Sequence, residues 1–206
     1  MVKKIICGVI CAVMLATPVL AAPDTVSFGD IPPGVNQDGA MAAVDAKALA
    51  EYGTDRFGTY MPVHLEAWGF GQMSSMLSYL AVPFIKMFGL NTFALRLPQM
   101  LISMGGLGAI AFIGIRIFGK RTSLIFTALA AINPWHIMQS RWALDCNLFP
   151  HFFLIAFAFL IGAQKKDWPL FVSMALFGLT MYTYGVALYI VLIAYITEKI
   201  VKLKQP

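Results

Sequence analysis

LPQMLISMGGLGAIAFIGI, residues 97–115, contains no charged side chain. About 20 mostly apolar residues in a helix cross the hydrocarbon core of a bilayer, so this stretch predicts a membrane span. Similar apolar runs occupy 5–22, 122–138, 148–163 and 169–197. The 206-residue chain is 59% hydrophobic and 12% charged, with a mean hydropathy of +0.76, and these values exclude an ordinary soluble domain. They predict an all-α, polytopic transmembrane helical bundle.

The last apolar run decides the number of spans. Tyr182, Tyr184 and Gly185 lie near its middle and favour an interfacial turn, which gives about six spans. One tilted helix of about 30 residues would give about five. Six spans with an inner amino terminus place ten of the fifteen basic residues in the cytoplasm, and the positive-inside rule therefore favours six. These ten are Lys3, Lys4, Arg116, Lys120, Arg121, Lys165, Lys166, Lys199, Lys202 and Lys204.

The same charge pattern places residues 23–96 outside, where acids outnumber bases. We expect one membrane domain over 1–206, with a first span or signal anchor at 5–22, an extracytoplasmic loop at 23–96, the remaining spans at 97–198 and a cytoplasmic tail at 199–206. A cleaved signal peptide is the alternative for the first run, because two lysines precede it and small residues follow it. In either case residues 23–96 are translocated to the outer side of the membrane.

Several local patterns predict structure around these spans. Residues 39–50 and 72–88 have the composition of interfacial helices lying against the spans. Gly105 and Ala109 predict a close approach between helices, and Asn133-Pro134 predicts a break near the outer end of the third span. Arg96 and Lys86 are interpreted as interfacial anchors, and His136 and His151 as interfacial polar tips.

Charge and cysteine content exclude other classes. The net charge of +5 is explained by basic residues at one membrane face, so no nucleic-acid partner is expected. Cys7, Cys11 and Cys146 form neither a disulfide framework nor a metal-binding spacing. No metal is expected at His64 and Glu66, because residues two apart do not share a helix face.

Two polar groups fall on the predicted outer side, and a cleft between them would form a site. One group is Asn36, Gln37 and Asp38; the other is Ser140, Arg141, Asp145 and Asn147. A carboxylate in such a cleft takes a proton from an acceptor hydroxyl as a sugar is displaced, and a guanidinium holds the departing phosphate. The simpler alternatives are a helix-capping Asp38 and a surface ion pair between Arg141 and Asp145.

Three segments carry a resemblance to a known family. They are PPGVNQDGAMAAVDAKALAEYGTDRFGTYMP at 32–62, VPFIKMFGLNTFALRLPQ at 82–99 and NPWHIMQSRWALDCNLFP at 133–150. Together they resemble the amino-terminal half of bacterial GT-C membrane glycosyltransferases, in the families of protein O-mannosyltransferases and the lipid A aminoarabinose transferase.

The resemblance implies a transferase of the bacterial inner membrane, active on its extracytoplasmic side. It assigns the catalytic base to Asp38, with Gly39 where the family commonly has a second acid. By the same resemblance Arg141, Asp145 and Asn147 become the expected substrate-binding residues. The donor would be a polyprenyl-phosphate sugar, with membrane lipid as a further partner and an acceptor of unknown identity. No cofactor is assigned, and a divalent cation at Asp145 stays open.

The length of the chain raises the alternative of a non-catalytic function. The resemblance implies more spans, and often a soluble carboxy-terminal domain, beyond the point where this sequence stops. We therefore expect either a truncated form of the enzyme or, as the alternative, a non-catalytic membrane remnant or a partner subunit of a larger complex. A small transporter is less favoured, because the predicted span interiors lack the paired ionisable residues of a translocation path.

Overall fold

The computed structural model describes residues 34–69, 71–163 and 167–185. The expected first span at 5–22, the second half of the last apolar run and the cytoplasmic tail lie outside the described residues. The described elements are α1 (Gln37–Tyr52), β1 (His64–Ala67), β2 (Gly71–Ser74), α2 (Met76–Phe88), α3 (Thr92–Phe118), α4 (Lys120–Ile132), α5 (Pro134–Arg141), α6 (Asp145–Gly162) and α7 (Trp168–Thr180).

Two helices of the described residues, α3 and α6, are long and apolar enough to cross a membrane. Helices α2 and α7 are apolar but shorter. The prediction of a mostly helical chain with membrane-type helices is therefore confirmed at this level, whereas about six spans and an extracytoplasmic loop stay predictions.

Helices α3 and α6 run in the same direction. Near their starts Gln99 Nε2 donates to the Asn147 carbonyl, and near their ends Phe112 lies against Gly162. Helix α4 returns alongside α3, with Ser123 Oγ donating to Ala111 O at 2.8 Å. Helix α7 returns alongside α6, with Ser173 Oγ donating to Ala156 O at 2.8 Å. We call the end where α3 and α6 begin the upper end, and the other the lower end.

Glycines on α3 allow these neighbours to approach. A Cβ at Gly106 would lie 2.5 Å from His151 Nδ1, and one at Gly114 would lie 2.8 Å from Ser123 Oγ. A Cβ at Gly105 would lie 3.0 Å from Ile155 Cδ1, whereas a Cβ at Gly108 would meet nothing within 4 Å. The prediction of glycine-mediated helix packing therefore holds for part of the glycine-rich stretch.

A layer made of α1, the β-hairpin and α2 covers the upper end. The hairpin pairs Leu65 with Met73 in an antiparallel register. Its buried side chains join those of α1, α2 and the starts of α3 and α6 in one core, which includes Ala46, Leu77, Leu95 and Leu148. The prediction of one helix over 72–88 is thus wrong at its start, because 71–74 forms a strand and the helix begins at Met76.

Two predicted breaks coincide with helix ends. Helix α4 stops at Ile132, and Asn133 caps α5 by accepting a hydrogen bond from Trp135 N at 2.9 Å. Helix α7 stops at Thr180, and Tyr182 O in the following turn accepts a hydrogen bond from Met76 N at 3.4 Å. The turn thereby contacts the layer over the upper end.

Candidate functional site

Asp38 lies in the first turn of α1, and Asn36 takes the capping role. The Asn36 side chain accepts a hydrogen bond from Gly39 N at 3.0 Å. The alternative of a capping Asp38 is therefore wrong. Asp38 is half-buried, and within the described part of the chain its carboxylate accepts no hydrogen bond. A negative charge at this position is favoured by the helix dipole, and the carboxylate stays available to another group.

Gly39 brings the start of α1 against the loop that joins α5 to α6. A Cβ at Gly39 would lie 3.0 Å from Ala143 O and 2.7 Å from Asn36 Oδ1. A side chain at this position would therefore displace either the cap or the loop. The absence of a second acid after Asp38 has a steric reason here.

Asp145 begins α6 at the same place. Asp38 and Asp145 lie close enough for the Asp38 charge to act on the Asp145 carboxyl, and Ser74 at the end of β2 faces that carboxyl with its N–H and hydroxyl groups. Asp145 Oδ1 also accepts from Cys146 N at 2.7 Å. The two carboxylates, 107 residues apart in sequence, thus share one region of the upper end.

Arg141 is the last residue of α5 and is only 3% exposed. Burial lowers the pKa of its guanidinium, and an arginine side chain is charged at neutral pH. A surface ion pair with Asp145 is wrong, because Arg141 is buried and the two residues belong to different helices. Arg141 places a buried positive charge directly before the loop that contacts Gly39.

Asn147 is buried and closes this loop. Its Nδ2 donates to Trp142 O at 3.0 Å. Its carbonyl accepts a hydrogen bond from Gln99 Nε2 at 3.1 Å. Because its amide nitrogen is already used within the loop, Asn147 is placed to hold the loop in shape.

Gln99 is a residue that sequence reasoning missed. It is fully buried, and its Nε2 also donates to Gln139 O at 3.3 Å, so one side chain of α3 joins α5 to α6. The available signal was an uncharged amide inside an apolar run, because a buried polar group in such a run needs partners.

Arg96 is not the interfacial anchor that the sequence predicts. It is 2% exposed, and its Nη2 donates to Gly34 O. Gly34 lies two residues before the cap of α1. The α3 guanidinium therefore holds the backbone that leads into Asp38.

Asp45 and Arg56 form a second polar contact beside this region. Arg56 Nη1 lies 3.4 Å from Asp45 Oδ2, and Arg56 N donates to Asp45 Oδ1 at 3.1 Å. Burial raises the pKa of Asp45 above 3.8, and it outweighs the hydrogen bond and the charge of Arg56. This contact fixes the turn after α1 against α1 itself.

His64 and Glu66 lie on strand β1, and both face solvent. Residues two apart in a strand share a face, so the argument that separated them as helix residues is wrong. Together with Asp55 and Gln72 they line an open polar pocket of about 480 Å³. Among the described residues, no three His, Cys, Asp or Glu side chains are grouped to hold a metal ion.

An apolar groove of about 460 Å³ lies between α3, α6 and α7. Small residues such as Gly105 and Ala158 line it, and Arg116 and Trp168 lie at its lower end. It is separate from the acidic residues of the upper end.

Comparison with known proteins places these features in a family. The family model described as dolichyl-phosphate-mannose-protein mannosyltransferase matches residues 73–205, well over half of the chain. The matched part contains Arg141, Asp145 and Asn147, while Asp38 precedes it. No curated protein and no solved structure matches the chain. The extent of the family match shows that this chain belongs to the dolichyl-phosphate-mannose-protein mannosyltransferase family.

Proposed function

We propose that this chain is a membrane glycosyltransferase that moves a sugar from a polyprenyl-phosphate donor to an acceptor hydroxyl, with Asp38 as the general base. Asp38 takes the hydroxyl proton while the acceptor oxygen forms a bond to C1 of the sugar. The bond between C1 and the phosphate oxygen breaks, and polyprenyl phosphate leaves with the electron pair. Membership of the family supports this class of donor.

The contact between Gly39 and the Ala143 carbonyl carries the proposal. It joins the Asp38 turn to the loop between α5 and α6, so a half-buried carboxylate without a hydrogen bond in the described residues stands beside the polar start of α6. A general base needs such a position, because it must reach the substrate proton without first losing a structural partner.

In this proposal Arg141 supplies positive charge for the departing phosphate. A buried guanidinium acts more strongly than an exposed one, because solvent screens it less. Asn147 and Gln99 are positioning residues: they hold the loop between Arg141 and Asp145, and neither contacts the reacting atoms.

Asp145 organises the acidic side of the proposed site. Ser74 faces its carboxyl group, which ties the hairpin to the start of α6. Asp145 lies near Asp38, and these two carboxylates would be the residues to hold a divalent cation, which would supply positive charge to the site.

We further propose that the upper end lies on the extracytoplasmic side. Exposed Arg116, Lys120 and Arg121 lie at the lower end. Basic residues at one membrane face favour its cytoplasmic orientation, and the acidic carboxylates of the site lie at the other face.

A sugar-transfer assay tests the proposal. Membranes containing the full chain are given radiolabelled mannosyl polyprenyl phosphate, and incorporation into non-lipid product is measured. We expect Asp38→Asn to lower the rate by roughly 100-fold or more, the usual contribution of a general base. Asp167→Asn removes an exposed carboxylate at the start of α7 and is the matched control. Equal rates in wild type and Asp38→Asn would show that Asp38 is not the general base. The absence of transfer by the wild-type protein would favour the alternative of a partner subunit.

A further inference from the structure

His136 and His151 form a pair that the proposed reaction does not use. Their ring centroids are 5.2 Å apart and their planes are inclined by 76°. His136 lies on α5 one turn from Gln139, and His151 lies on α6 one turn from Asn147. The pair is therefore one helical turn from the point where Gln99 joins the same two helices.

Three of the four ring nitrogens of this pair are buried without a partner among the described residues. Within the described part of the chain, His136 Nε2 and both nitrogens of His151 are buried and make no hydrogen bond. His151 is 4% exposed, so water cannot readily replace a missing partner. Buried polar atoms are nearly always bonded, so these nitrogens are open to a bound species.

Helix α3 provides the space that seats His151. A Cβ at Gly106 would lie 2.5 Å from His151 Nδ1 and 3.1 Å from its Cγ. The ring thus rests on the glycine backbone while it faces His136 on the other helix. The His151 imidazole is therefore held by packing before any ligand binds.

The ring separation fits a known kind of ligand. A zinc ion binds imidazole nitrogen at about 2.0–2.1 Å, and two imidazoles on one tetrahedral ion have centroids roughly 5 Å apart. Imidazole also suits copper and nickel, and it binds in its neutral form. Hard cations such as Mg²⁺ prefer oxygen ligands.

We propose that His136 and His151 together bind one divalent transition-metal ion of the zinc class. Among the described residues no third His, Cys, Asp or Glu joins them, so the remaining ligands are other polar atoms and water that enters with the ion. His136 is partly exposed, and the ion enters from its side. The bound ion ties α5 to α6 on either side of the loop that contacts Gly39.

Zinc binding by the full chain, purified without a histidine tag, tests this site. All three cysteines are replaced by serine, because thiols elsewhere also bind zinc. The chain has three histidines, and exposed His64 on β1 gives the matched control, His64→Ala. We expect about one zinc ion per chain, at least tenfold weaker binding in His136→Ala and in His151→Ala, and unchanged binding in His64→Ala.

Electron paramagnetic resonance with Cu²⁺ as the probe identifies the ligands. We expect couplings to two imidazole nitrogens in the parent protein and to one in His136→Ala. Since His136 is partly exposed, this variant keeps the test valid if His151→Ala does not fold. Equal zinc affinity in the parent and His136→Ala, or a copper spectrum without imidazole nitrogen, would overturn the proposal.

Discussion

Gly39 and Ala143 are in contact across the upper end: a Cβ at Gly39 would lie 3.0 Å from the Ala143 carbonyl oxygen. This contact joins two polar segments that are far apart in sequence. The arrangement of Asp38, Arg141 and Asp145 depends on it, since each lies within two residues of the contact.

Adding one methyl group at this contact should separate the segments. In Gly39→Ala the new Cβ would lie 2.7 Å from the capping Asn36 Oδ1. Loss of a cap costs about 0.5–2 kcal/mol, so we expect a lower thermal midpoint in detergent and slower sugar transfer. Gly108→Ala is the control, because a Cβ there meets nothing within 4 Å. It should leave stability unchanged or raise it. A Gly39→Ala protein as stable and active as wild type would show that the close contact contributes to neither stability nor sugar transfer.

Replacing the Gln99 amide should loosen α5 and α6. In Gln99→Leu the carbonyls of Gln139 and Asn147 lose a buried donor. An unsatisfied buried group costs about 1–3 kcal/mol, and thermal unfolding should report a destabilisation of that order. Gln72→Leu changes the same residue type at an exposed position of β2 and should shift stability by about 0.5 kcal/mol at most. Equal shifts in the two variants would contradict a bridging role for Gln99.

Removing the Arg96 guanidinium should free the backbone that leads into α1. Arg96→Met keeps a long apolar stem but loses the hydrogen bond to Gly34 O. Hydrogen bonds to charged groups contribute about 1.5–3 kcal/mol, so amide exchange near Gly39 should become roughly tenfold to hundredfold faster. Lys86→Met removes an exposed charge from α2 and should leave this exchange unchanged. Unchanged exchange in Arg96→Met would show that α3 does not hold the start of α1.

The buried carboxyl of Asp45 should make stability depend on pH. Burial raises the pKa of Asp45 above 3.8, so the folded chain holds this proton more tightly than the unfolded chain. The resulting stabilisation is full below pH 3.8 and is lost as the pH rises through the raised pKa. Asp45→Asn cannot ionise. We therefore expect its stability relative to wild type to increase between pH 4 and pH 7 in denaturant unfolding. A constant difference across this range would contradict the shift.

The helices could be predicted from the sequence because local signals mark their ends. Asn133-Pro134 separates α4 from α5, and the turn after Thr180 follows the aromatic and glycine pattern around Gly185. The hairpin was missed, because its strands have four residues each and the spacing of Met73, Met76 and Leu77 is also that of a helix.

The candidate site residues could be named from the sequence, but their arrangement could not. The proximity of Asp38 to Asp145 depends on the missing side chain at Gly39 and on the position of the Ala143 carbonyl. Both are properties of tertiary packing. The buried roles of Arg96 and Gln99 were hidden for the same reason, since their partners are backbone atoms distant in sequence.

The proposed role of Asp38 requires that this residue lie on the outer face of the membrane. A single cysteine is placed as Asp38→Cys after Cys7, Cys11 and Cys146 are replaced by serine, and intact cells are treated with a membrane-impermeant maleimide. We expect labelling from the outside without permeabilisation. Labelling that appears only after the membrane is opened would contradict this expectation, because the proposed base would then face the cell interior.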